Sequence, residues 1–159
     1  MELPAPITVV LADDQRAYRE GLARAITRHC RLELVAVAMN GDEALEAIES
    51  VEPDVALVDV RMAGMAGTEV CSELRRRRPG MHTRVILMSA HAGELSDEID
   101  DAGADGFLAK DRSRREICEA LVQAAQRDPW PRSSLPPTPA SPRVHRALTA
   151  GGVARVSAP

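Results

Sequence analysis

The sequence predicts an α/β fold, one parallel sheet of five strands with five helices packed on both of its faces. Three observations carry that prediction. Five short aliphatic runs lack polar alternation, as strands covered on both faces do. Amphipathic stretches separate them, and strand–helix alternation makes the sheet parallel. Acidic, hydroxyl and ammonium side chains stand at the ends of these runs, where an open parallel sheet forms its binding crevice.

Taken in order, Ile7–Ala12 reads as the first strand and Ala17–His29 as the first helix, followed by a second strand over Leu34–Met39. Asn40-Gly41-Asp42-Glu43 supplies a turn and the acids favoured at a helix start, opening a helix over Gly41–Ser50. Pro53 precedes the third strand, Val55–Val60, and Pro79-Gly80 stops the third helix, Gly67–Arg77. Val85–Ser89 is the fourth strand and Gly93–Ala102 the fourth helix. Ala102-Gly103-Ala104-Asp105-Gly106 ends that helix and turns tightly into the fifth strand, Gly106–Ala109. Ser113 caps the last helix, Arg114–Arg127, whose Ile117, Leu121, Val122, Ala124 and Ala125 recur at helical spacing.

Residues 1–128 therefore read as one domain. Beyond Asp128 the composition changes: seven of the eleven prolines fall in 129–159, and hydrophobic periodicity disappears. That segment is expected to be disordered or extended, too short and proline-rich for a helix-turn-helix.

Composition narrows the function classes. Apolar residues make up 45% and charged residues 28%, the balance of a soluble globular protein. Tyr18, Phe107 and Trp130 are the whole aromatic set, so the core must be aliphatic, and reading nucleic acid by stacking bases is disfavoured. The net charge of −4 is unevenly placed: residues 129–159 hold four arginines and no acid, leaving the body acidic and ill suited to nucleic acid. Cys30, Cys71 and Cys118 are far apart and form no zinc pattern. They read as small buried or half-buried residues in a reducing compartment. No apolar run reaches membrane-spanning length and no signal pattern opens the chain, so a cytoplasmic protein is expected. The run Arg75-Arg76-Arg77-Arg78 reads as a solvated helix end, favoured by the dipole.

Chemistry concentrates at the strand ends. The first strand delivers Asp13 and Asp14, the third Asp59, the fourth Ser89 and the fifth Lys110, the single lysine among nineteen arginines. A compact ammonium on a flexible stem suits a small buried anion such as a phosphoryl group. Crowded carboxylates raise each other's pKa values unless a cation joins them. Mg²⁺ takes a few carboxylates, keeps several waters and accepts phosphate oxygens. Asp59, central and flanked by both other groups, is the carboxylate expected to attack phosphorus, with Ser89 and Lys110 meeting the phosphoryl oxygens.

These residues fall into motifs: Leu11-Ala12-Asp13-Asp14, Asp54-Val55-Ala56-Leu57-Val58-Asp59-Val60-Arg61-Met62, Met88-Ser89-Ala90, and Gly103-Ala104-Asp105-Gly106-Phe107-Leu108-Ala109-Lys110. In that order and spacing, the chain over about residues 7–127 resembles the receiver domain of two-component response regulators. Asp13-Asp14 followed by Tyr18-Arg19-Glu20-Gly21-Leu22 resembles the subclass that usually carries a C-terminal LuxR-type helix-turn-helix. The resemblance implies a flavodoxin-like sheet of strand order 2-1-3-4-5. It implies Asp59 as phosphoryl acceptor, and Asp13, Asp14, Asp59 and the backbone carbonyl of Arg61 as Mg²⁺ ligands. It also implies Ser89 as switch hydroxyl, Phe107 as switch aromatic and Lys110 as the phosphate-pairing lysine. The implied phosphodonor is a sensor histidine kinase. The implied output is a protein target or a second copy met through the face of the fourth helix, fifth strand and fifth helix. Only self-phosphorylation and dephosphorylation at Asp59 are expected, not enzymatic turnover.

Several features depart from the pattern. Ala63 stands where the family commonly has proline, which implies a more mobile loop beside Asp59. Ala66 replaces a frequent aspartate. The fourth helix is unusually acidic, with Glu94, Asp97, Glu98, Asp100 and Asp101, and favours a basic partner over DNA. No helix-turn-helix is legible after residue 128. The alternative reading is therefore a fragment or degenerate form of a DNA-binding transcriptional regulator; DNA binding is not expected from this chain alone. A small aspartyl phosphohydrolase lacks support, since no cap segment or second acid follows Asp59. A receiver fold used only for docking is disfavoured by the full acid–hydroxyl–lysine set. His91, two residues past Ser89, reads as solvent-facing near the site mouth.

Overall fold

A computed structural model describes residues 2–90 and 96–126. His91, Glu94, the first residues expected in the fourth helix, the boundary at 128 and the segment 129–159 with Trp130 lie outside the described residues. The elements are β1 (Ile7–Ala12), α1 (Arg16–Arg28), β2 (Leu32–Ala38), α2 (Gly41–Val51), β3 (Val55–Asp59), α3 (Gly67–Arg77), β4 (Arg84–Ser89), α4 (Ser96–Ala102), β5 (Gly106–Ala109) and α5 (Arg114–Gln126). All strands are parallel, in the order β2-β1-β3-β4-β5.

The expected boundaries of α3 and β5 hold to the residue. Among the described residues the largest shift is at β2, which starts two residues earlier than its apolar run suggests. Leu32 and Glu33 pair with Ile7 and Thr8, and that pairing is supplied by β1 rather than by local pattern.

Helix ends follow local chemistry. Asn40 accepts a hydrogen bond from the Glu43 N–H at 2.9 Å, while Glu43 accepts one from the Met39 N–H at 2.9 Å. At α5 the box closes on the cap residue itself: the Glu116 N–H donates to Ser113 Oγ at 3.1 Å, and the Ser113 hydroxyl and N–H donate to Glu116 Oε2 at 2.9 and 3.4 Å. Gly103 takes a left-handed φ of 80° as the chain leaves α4.

Period-2 alternation sends the strands into two aliphatic layers. Val10, Ala56, Val58, Val85 and Leu87 pack against α2, α3 and α4. Val9, Leu11, Leu57, Ile86 and Met88 pack against α1 and α5. The central strands β1, β3 and β4 are thereby buried on both faces, while the edge strand β2 keeps Glu33 and Val37 exposed, so the polar side chains of the centre gather at its ends. Cys71 and Cys118 are buried, as expected of packing residues, but Cys30 is exposed. It follows the end of α1 in the turn to β2, where no layer covers it.

The arginine run is not uniformly solvated. Arg75, in α3, forms an ion pair with buried Asp105, and its guanidinium also donates to the Gly103 and Thr83 carbonyls, both at 3.3 Å. Arg77 pairs with Glu49 of α2 at 3.1 Å, and Arg78 with Glu52 at 3.1 Å. Arg76 and Arg77 share Glu73 on the exposed side of the helix, so identical side chains take different partners according to where the helix turns them.

Candidate functional site

The sheet register brings the chemistry to one edge. Ala12 lies beside Val58, Asp59 beside Met88, and Ser89 beside Ala109. Residues immediately after β1 and β5 therefore join the ends of β3 and β4. Strand order reverses between β1 and β3, so this edge is also the switch point where a crevice opens.

Asp13 and Asp59 are buried, whereas Asp14 is exposed at the rim. One oxygen from each of the three carboxylates falls within 4.8 Å of the others. Lys110 meets two of them: its Nζ stands 2.7 Å from Asp13 Oδ2 and 3.1 Å from Asp59 Oδ2. It also donates to Gln15 Oε1 at 3.0 Å and lies over the Tyr18 ring, 4.7 Å from the centroid. The lysine expected from sequence to face the acids does so, and its N–H is anchored to the Ser89 carbonyl at 3.0 Å.

Asp13 Oδ1 accepts the Gln15 N–H at 2.8 Å. Asp13 Oδ2 is buried without a hydrogen bond among the described groups; its short approach to Lys110 is an ion pair whose geometry falls outside hydrogen bonding. Burial, and then the Asp13 charge, push the Asp59 carboxyl up to about 6, against the opposing pull of Lys110. Such a pocket is short of positive charge. Three converging hard oxygen donors, two of them buried and one solvent-exposed, with a single ammonium among them, fit Mg²⁺.

The surrounding backbone is tightly placed. The Arg61 N–H donates to Asp59 Oδ1 at 3.3 Å, and the Gly67 N–H to the Val60 carbonyl at 2.8 Å. A side chain on Gly67 would put its Cβ 2.2 Å from the Asp59 carbonyl oxygen, so α3 can begin this close to Asp59 only with glycine there. A cleft of about 560 Å³ opens beside the pocket, lined by Asp14, Arg61, Ala63, Thr68, Glu69 and Glu98 among others.

Ser89 is buried at the end of β4. Phe107 is half-buried and packs on the layer under α2, α3 and α4. Leu87 pairs with Phe107 and Ser89 with Ala109, so by alternation Ser89 and Phe107 share that sheet face. Sequence reading missed Gln15 and Tyr18 as neighbours of Lys110. It also missed the Ala63 N–H, which donates to Asp14 Oδ2 at 3.2 Å. A backbone donor leaves no trace in side-chain pattern. Only Gly67 carried a readable signal, an unexplained glycine at a helix start.

Fold and pocket together define a doubly covered parallel α/β protein that collects acids and one ammonium at its switch point. Residues 9–122 match the family model of the response regulator receiver domain, and the chain belongs to that family. It is 40% identical over 124 residues to the probable transcriptional regulatory protein NarL of Mycobacterium tuberculosis, covering 77% of this chain and 56% of that protein. It is 34% identical over 145 residues to the nitrate/nitrite response regulator protein NarL of Escherichia coli K12, covering 91% and 67%. The chain thus spans little more than half the length of the first of these relatives. Among solved structures, the signal receiver domain of the putative M. tuberculosis response regulator NarL superposes with a TM-score of 0.73 at 40% identity, covering 77% of this chain and 98% of that one. The response regulator domain of Thermotoga maritima CheB does so at 0.69 and 27%, covering 78% and 99%. Family membership supports a role in two-component signalling, and receiver domains are signalling modules rather than turnover enzymes. Among the described residues, no helix is long and apolar enough to cross a membrane.

Proposed function

We propose that this protein is a phosphorylation-controlled switch that accepts a phosphoryl group on Asp59 from a sensor histidine kinase in the cytoplasm. The observation that carries the reading is the convergence of three carboxylate oxygens within 4.8 Å, with one ammonium against two of those acids. In this reading Asp13, Asp14, Asp59 and the Arg61 carbonyl hold Mg²⁺, which when bound supplies charge neutralisation for carboxylate and phosphate oxygens. An Asp59 oxygen forms the new bond to phosphorus as the P–N bond of the donor's phosphohistidine breaks, and the imidazole departs with the electron pair of that bond. The product is an acyl phosphate. Lys110 transfers its pairing from the Asp59 carboxylate to a phosphoryl oxygen, and the Ser89 hydroxyl donates to another.

Ser89 and Phe107 share one sheet face, which supports Phe107 as the residue that reports the change to the α4-β5-α5 surface. That surface would engage a protein target or a second copy. The exposed acids Asp97, Glu98, Asp100 and Asp101 of α4 favour a basic target. The relatives' names make transcription the downstream process to examine first. Intact-mass measurement tests the core of this reading. Wild type incubated with Mg²⁺ and a small phosphodonor should gain a phosphate-sized adduct that Asp59→Asn does not. An unmodified wild type, or an equal adduct on both, rejects it.

A further inference from the structure

We propose that Tyr18 is a positioning residue for Lys110, its ring face keeping the ammonium in the acidic pocket when the carboxylates share their charge with a bound cation. The inference rests on the reading of that pocket as a Mg²⁺ and phosphoryl site. The Lys110 Nζ has two kinds of neighbour. Asp13 and Asp59 are charged, at 2.7 and 3.1 Å. Gln15 Oε1, at 3.0 Å, and the Tyr18 ring, 4.7 Å from its centroid, are neutral and come from the start of α1. A divalent cation competes with the ammonium for the carboxylates and repels it. An aromatic face is no ligand for such an ion, yet its quadrupole attracts an ammonium. Gln15 is exposed, where water can replace its carbonyl oxygen; the half-buried ring has no such substitute. The ring does not create the site. It sets how firmly the lysine stays there.

Packing, not the hydroxyl, places the ring. Tyr18 packs on the layer between the sheet and helices α1 and α5. Its hydroxyl is buried without a hydrogen bond among the described groups. Burial, and then the Asp13 charge, push the phenol up to about 12, so the ring is neutral at ordinary pH. The helix that carries it is tied to the pocket. The Gln15 N–H donates to Asp13 Oδ1 at 2.8 Å, and the Arg19 guanidinium to the Asp13 carbonyl at 2.9 Å. One turn beyond Tyr18, the Arg114 guanidinium of α5 lies against Gly21 and leaves no room for a Cβ there. The ring is therefore the fixed partner, and the lysine, on its flexible stem, is the movable one.

Lys110 is the single lysine of the chain, so isotope-labelled lysine gives one side-chain NMR signal to follow in the full chain. In wild type and in Tyr18→Phe, which keeps the ring, the Lys110 ε-CH₂ signal should lie upfield of free lysine and stay there when Mg²⁺ alone is added. In Tyr18→Leu that upfield shift should be lost. With Mg²⁺ and acetyl phosphate, uptake of phosphate on Asp59 should be about five-fold slower in Tyr18→Leu and within about two-fold of wild type in Tyr18→Phe. A wild-type signal at the free-lysine position, its return there on adding Mg²⁺, or uptake as fast in Tyr18→Leu as in wild type would overturn the proposal. An equal slowing in Tyr18→Phe would do the same. If the leucine variant does not fold, nuclear Overhauser contacts between the Tyr18 ring and the Lys110 ε-CH₂ in Mg²⁺-loaded wild type decide, and their absence refutes the clamp. A wild type that takes up no phosphate while its lysine signal stays upfield would instead remove the pocket reading, and this inference with it.

Discussion

Lys110 stands closer to Asp13 than to Asp59, with its Nζ 2.7 Å from the first carboxylate and 3.1 Å from the second. The lysine side chain is only 10% exposed, so one ammonium faces two buried acids in a poorly hydrated place. Its loss would leave both acids unbalanced. Lys110→Met should therefore destabilise the metal-free protein by roughly 3 kcal/mol, the cost of stranding a buried charge. Urea unfolding measures this, and Mg²⁺ should restore part of the loss. A variant as stable as wild type would contradict the charge balance described here.

Asp59 carries a pH signature of known sign. Its folded-state pKa of about 6 lies above the ordinary carboxylate value, so the folded protein binds more protons than the unfolded chain between about pH 4 and 6. Stability contributed by this group falls as pH rises through that window and stays low above it. Asp59→Asn removes the charge without changing shape. Its advantage over wild type should be near zero at about pH 4 and grow to as much as about 3 kcal/mol by pH 7 in metal-free buffer. Paired urea titrations across this range measure the difference; a constant offset would contradict the assignment.

Gly67 permits the approach of α3 to Asp59. Gly67→Ala would place a methyl group 2.2 Å from the Asp59 carbonyl oxygen, so backbone must move. Overpacking of this kind costs roughly 1–3 kcal/mol, and the displaced Asp59 should accept phosphate several-fold more slowly. Thermal unfolding and phosphorylation time courses read the two effects separately.

Arg75 and Asp105 test the opposite end of the sheet. Arg75→Met takes the guanidinium away from the buried Asp105 carboxylate, which also accepts from the Val85 N–H, and should cost roughly 3–5 kcal/mol. Adding Asp105→Asn should recover much of that loss, because the stranded charge is gone. A double-mutant cycle in denaturant measures the coupling, and strict additivity would deny the ion pair its role.

The fold was legible because it depends on quantities that sequence displays directly. Runs such as Val55–Val58 carry no polar break, and only a strand covered on both faces tolerates that. The candidate pocket was legible for a related reason. Once five such runs lie parallel, the residues that end them must share an edge, so Asp13, Asp14, Asp59, Ser89 and Lys110 had to be neighbours.

What sequence left open was which neighbour each group takes. Arg75 through Arg78 are chemically alike, and only the turn of α3 against β4 and the α4–β5 turn selects Arg75 for Asp105. Cys30 differs from Cys71 and Cys118 only in having no helix or sheet layered over it. The bond from the Ala63 N–H to Asp14 was equally hidden, because a backbone donor has no side-chain signature.

The sequence by itself determined the layer order, the parallel sheet and the set of charged groups brought to its edge, because burial pattern and strand–helix alternation are local and additive. Tertiary structure alone decided that Lys110 leans toward Asp13, that Tyr18 and Gln15 enclose it, and that the Ala63 N–H donates to Asp14. Those contacts join residues far apart in the chain through distances of 2.7–4.7 Å, and short-range contacts of that kind are set only when whole elements have packed.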